Sequence, residues 1–246
     1  MTVDAADVMN QLKESVKRMY KTRIELFAVN SALFDLNCAN EVAVFDNCLA
    51  TIRTIAIEPT RRIDNARIAA LSEMVRFAYQ LLLASWDNLR SGRMAAALDH
   101  ARSVGQSSAY IRAAALSDDF AEKWLEDRTL TGPGFDDAIR AIRRAGRTAD
   151  DLGIAPKQRY SHFDQEPARW TRFEHGGTDF QVPDGAYGPH IKLQAQVTAL
   201  HALAILKEAA QALAVEDTIE RATANAVFWD GLSRLGVSEG NDDQPN

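Results

Sequence analysis

Apolar positions recur with a helical period along most of this chain. Leu12, Val16, Met19, Ile24, Phe27 and Leu33 follow one another at roughly helical spacing and predict a first helix from about Val3 to Leu36. Asn37 and Asn40 mark a break before a second helix, Glu41 to Ile57, which Pro59 ends. Thr60 stands where it can cap a long third helix reaching Arg90, with Ile63, Leu71, Met74, Ala78, Leu81, Leu82 and Leu89 on its apolar face. Ser91-Gly92 is the turn into a fourth helix, Arg93 to Leu116. Ser117 or Asp118 caps a short fifth that stops near Asp127. Thr131-Gly132-Pro133-Gly134 is a turn, and a sixth helix spans Phe135 to Leu152. Residues 153–188 carry no clear period. Pro189 then opens a seventh helix reaching Val215, and an eighth runs from Asp217 to Leu235. The polar, acidic tail over 236–246 is expected to fray. The pattern predicts an all-α fold: a single-domain helical bundle over residues 1–235, of about seven to eight helices, with one long ordered loop. The third, fourth and seventh helices are expected to form its core.

Composition agrees. Among 246 residues, 40 are alanine and 21 arginine, against only 20 glycines and prolines together, which disfavours a sandwich or barrel. Nine of those 20 breakers fall between Gly153 and Pro189. The same interval holds Tyr160, Phe163, Trp170, Phe173, Phe180 and Tyr187, so it reads as a loop that packs and not as disorder.

Charge narrows the partners. A net charge of −6 argues against nonspecific nucleic-acid binding over the whole surface. Between Arg128 and Arg172, however, nine basic residues face six acidic ones, so RNA or another anionic ligand would be met through residues 128–175. The acidic, amphipathic start is unlike an ordinary secretory signal, and apolar runs such as Phe77 to Trp86 are too short to span a bilayer. Cys38 and Cys48 make neither a disulfide framework nor a zinc spacing, and are expected as reduced core thiols. These features together point to the cytoplasm. No P-loop, HExxH, GxSxG or dinucleotide fingerprint occurs, so no metal or cofactor is expected.

Candidate chemistry is confined to a few positions. Arg112 lies on the small-residue stripe of the fourth helix (Ala97, Ala101, Gly105, Ser108), where its guanidinium needs a carboxylate partner or an anionic ligand. Arg140, Arg143, Arg144 and Arg147 share one face of the sixth helix, with Asp136 and Asp151 positioned to pair with Arg140 and Arg147. In the loop, Arg159, His162, Arg169 and Trp170 combine cations with aromatics, a mixture suited to stacking and phosphate contact. On the seventh helix His190, Gln194, His201 and Glu208 line up beside an apolar stripe, and His201 is a hydrogen-bonded core histidine or a ligand.

Three stretches carry a family resemblance: Ser91-Gly92-Arg93 through His100-Ala101-Arg102 to Ser107 and Tyr110-Ile111-Arg112-Ala113; Phe120-Ala121-Glu122-Lys123-Trp124-Leu125; and Arg159-Tyr160-Ser161-His162. In this order, before a final long helix, they resemble the HEPN-like helical proteins of bacteria and uncharacterised bacterial families near them. Catalytic HEPN proteins cut RNA without metal, using an Arg and a His a few residues apart. The resemblance implies that Arg93 would hold the scissile phosphate and His100 would act as general acid or base. The position after that arginine, often polar in the family, is Met94 here. The chain thus reads as a binding or interaction module of HEPN-like type, with a homodimer among its expected states. The alternatives are a metal-independent ribonuclease of toxin or defence type and a structural homo-oligomer.

Overall fold

The structure, a computed structural model, describes residues 5–57, 66–126, 133–145, 189–214 and 218–237. Within these residues the chain is all-α. It forms α1 (Ala5–Asn37), α2 (Ala39–Ile52) with a π-helical turn at Arg53–Ile57, α3 (Ala66–Arg90) and α4 (Met94–Leu116). These are followed by α5 (Asp118–Glu126), α6 (Phe135–Arg144), α7 (Pro189–Leu213) and α8 (Ile219–Arg234). The expected loop over 153–188 and the acidic tail beyond Val237 lie outside the described residues. So do the expected Thr60 cap of the third helix and the end of the predicted sixth.

Local chemistry sets the boundaries. Cys38 separates α1 from α2. Its backbone N–H still donates to Phe34 O at 2.8 Å and its carbonyl accepts from Val42 at 2.8 Å, so the two helices meet at a kink. Gly92 ends α3 with φ +76°, a left-handed conformation that a glycine takes without strain. The reversal is closed by Arg93 N donating to Asn88 O at 2.8 Å. Ser117 Oγ accepts from Phe120 N at 3.2 Å and so starts α5, while the Asp137 carboxylate reaches back to accept from Gly134 N at 3.0 Å and starts α6. The cap of α8 is Thr218, whose Oγ1 accepts from Arg221 N at 3.4 Å.

α7 is the central helix. It packs against α2, α3, α4 and α8, and its Leu203, Ile205 and Leu206 are fully buried, with Ala199, Ala202 and Ala209 allowing close approach. α3 and α4 lie along one another beside it. This matches the expected core, to which α2 adds a fourth wall: Phe45, Cys48, Leu49 and Ile52 are buried. Phe45 stacks on Trp86 with centroids 4.0 Å apart, and Phe34 meets the same indole edge-on at 5.1 Å. Aromatic contacts of both geometries add to the area they bury. On α8, a Cβ at Gly231 would fall 2.7 Å from Leu203 Cδ2 and 3.2 Å from Val44 Cγ1, so α8 seats only because that residue has no side chain.

The apolar stripe of α1 forms the helix its spacing predicts without becoming a buried face. Leu12, Val16, Met19, Ile24, Phe27 and Leu33 are all exposed. Every described side chain from residue 10 to 29 is exposed, and burial on this helix begins only at its C-terminal end with Phe34. The reason is length. A helix of 33 residues extends about 50 Å, and the bundle covers only its last turns. There Asn30 Nδ2 donates to Ser91 O at 3.2 Å, and Arg90 pairs with Asp35.

Candidate functional site

Arg112 and Glu208 form the deepest ion pair among the described residues. Arg112 Nη1 lies 3.3 Å from Glu208 Oε1, with the side chains 12% and 5% exposed. The carboxylate that Arg112 requires therefore comes from α7, across the seam between α4 and α7. Nearby on α4, Ser108 donates to Gly105 O at 2.9 Å and Ser107 to Ser103 O at 2.8 Å, so both hydroxyls are satisfied within their own helix. His201 is buried on α7 and stands two turns before Glu208 on the same side of the helix. Gln194 and Thr198 are buried with them, Thr198 donating to Gln194 O at 2.9 Å. Residue spacing aligns Gln194, His201 and Glu208. The pairing of Glu208 with a residue 96 positions away is not readable from that alignment.

Arg93 and His100 are on one flank of the N-terminal half of α4, two turns apart. Arg93 is exposed, and its Nε donates to Ser91 Oγ at 2.9 Å. His100 is half-buried with Nδ1 2.8 Å from Ala96 O. A carbonyl only accepts, so Nδ1 carries the proton and, in the neutral ring, Nε2 is left as the acceptor nitrogen. Nε2 is then the nitrogen at which this ring would take up a proton. The two Cα positions are about 10 Å apart along the axis, so a shared substrate atom has to be reached by the long arginine stem.

Arg159, His162, Arg169 and Trp170 lie outside the described residues, as does most of the 128–175 stretch assigned to an anionic partner. The described part of that stretch contributes to a groove of about 730 Å³ between α5 and α6, lined by Leu116, Ser117, Phe120, Lys123, Asp137 and Arg140. Its charges largely cancel: Lys123 pairs with Asp119 and Arg140 with Asp137. The expected Arg140–Asp136 pair is thus replaced by one with the next residue along, because Asp137 is already held in place by Gly134 N. The same contact, with Arg140 beside it, lowers the Asp137 pKa below the usual carboxylate value. Among the described residues no three His, Cys, Asp or Glu side chains come together in a way that would hold a metal ion. Nor is any described helix long and apolar enough to cross a membrane.

The stripe on α1 is the most extended apolar feature left open among the described residues. Leu12, Val16, Met19, Leu26, Phe27 and Leu33 fall within an arc of about 120° at 3.6 residues per turn, whereas Ile24, expected on the same stripe, lies outside that arc. Lys17, Arg18 and Lys21 lie on the opposite side of the helix, and Lys13 flanks the stripe. Comparison of the chain with protein-family models, curated proteins and solved structures finds no match.

Proposed function

We propose that this chain is a cytoplasmic binding module of HEPN-like type, working by contact and not by turnover, with the overhanging face of α1 as its working surface. One observation carries this reading. Met19 is 65% and Phe27 47% exposed on a helix whose described side chains are all exposed over residues 10–29. Apolar side chains in one contiguous stripe mark interaction sites more often than scattered ones do. The ion pair between α4 and α7 supports the same reading, since Glu208 neutralises the buried cation that would otherwise call for an anionic ligand.

The test is thermal melting of Met19→Glu and Phe27→Glu at high dilution. Both are expected to melt with the parent chain, because neither side chain supports the bundle. A fall of more than about 4 °C, roughly 1 kcal/mol or more at this size, would mean the stripe packs on the body, and the reading would be lost.

His100 favours a second reading, a metal-independent ribonuclease, because its Nδ1–Ala96 contact leaves Nε2 as the basic nitrogen. RNA cleavage in EDTA that disappears in both His100→Ala and Arg93→Ala would support it. Cleavage that survives either change would remove it.

A further inference from the structure

We propose that α1 pairs with α1 of a second copy, so that each overhang covers the apolar stripe of the other. The inference rests on the contact-module reading and names its partner. Leu12, Met19, Leu26 and Leu33 recur every seven residues, with Val16 and Phe27 filling the same arc. A seven-residue repeat of this kind presents its knobs to another helix. The stripe is also continuous with the part of α1 that is already in use: Phe34, one turn after Asn30, is fully buried against Trp86.

The area fits a dimer. At about 100 Å² for each of the six side chains, two copies would bury about 1,200 Å² of apolar surface, the lower edge of a specific interface. The charges fit as well. The cations Lys17, Arg18 and Lys21 face away from the stripe and Lys13 flanks it, so all four stay in water. Arg23 alone among the basic residues of α1 stands in the middle of the stripe. With the whole stripe from Leu12 to Leu33 covered, the two Arg23 side chains come together near its middle in either direction of pairing, and each guanidinium has to reach the rim. A lipid surface would instead draw Arg23 in with the centre of the apolar face, which disfavours a membrane as the occupant.

Sedimentation equilibrium of the full chain over two decades of concentration decides it. The expected result is a reversible dimer that Met19→Glu and Phe27→Glu each weaken by about 100-fold or more, with helicity unchanged. Arg23→Leu is expected to tighten it. A monomer at every concentration, or a dimer indifferent to both glutamates, would overturn the self-pairing. So would Met19-dependent binding to phosphatidylserine vesicles by a monomeric chain. Unchanged melting with no dimer leaves the contact module standing and removes only this partner, whereas depressed melting removes the module itself.

Discussion

Removing Glu208 would leave the Arg112 guanidinium, 12% exposed, without its carboxylate. Glu208→Ala is expected to lower the unfolding free energy by about 3 kcal/mol in urea titration, while the double change Arg112→Met with Glu208→Leu recovers most of it. The two thiols give a pH signature. Burial pushes Cys48 from 9.0 to about 12, and burial with the nearby Glu41 carboxylate pushes Cys38 from 9.0 to about 11. Both are neutral in the fold, while an unfolded chain ionises them near the ordinary value. Stability is therefore unaffected by these groups below pH 9.0 and declines as pH rises past it toward those values. Urea midpoints measured across that alkaline range check the sign. A thiol reagent at neutral pH should label neither cysteine until the chain unfolds.

Elements were legible in the sequence wherever a helix buries one face and is punctuated by a recognisable cap or turn. The Ser91-Gly92 turn, the Ser117 start of α5 and the Pro189 start of α7 all emerge from local rules, and the structure has those boundaries where spacing puts them. α1 was legible as a helix but not as a surface, because periodicity reports which residues share a face and not whether anything lies opposite. Pairings such as Arg112 with Glu208 escaped for the same reason, being set by how helices far apart in sequence meet. Within α6, the Gly134–Asp137 contact stabilises the helix start while that carboxylate is charged. Its pKa is lowered, so the contribution is present above the usual carboxylate range and is lost as pH falls through the lowered value. Faster amide exchange at the start of α6 in Asp137→Asn, at neutral pH, would report the same loss.

For the molecule as a whole, α7 carries the fold and most of α1 does not. Leu206→Ala, at a fully buried site, is expected to cost about 2 to 5 kcal/mol, whereas Leu12→Ala in the dissociated chain should stay within about 0.5 kcal/mol. Gly231→Ala belongs with the first group despite adding only a methyl. It drives a Cβ toward Leu203 and Val44, parting α8 from both α7 and α2, and is expected to cost about 1 to 3 kcal/mol. Denaturant titrations of the three variants would separate the load-carrying centre from the overhang.

The small joint at the end of α3 has a mechanical consequence. Asn30 on Ser91 and Asp35 on Arg90 grip α1 beside a glycine turn, and a Cβ at Gly92 would come 3.1 Å from the Asn30 amide. From that grip to Ala5 the helix is a rod of about 37 Å at 1.5 Å per residue. Tilting the rod by about 10° swings its tip through roughly 6 Å, the rise of about one helical turn. Whatever adjusts the seating of two side chains at the α3–α4 turn is thereby amplified into a change of aim at the far end.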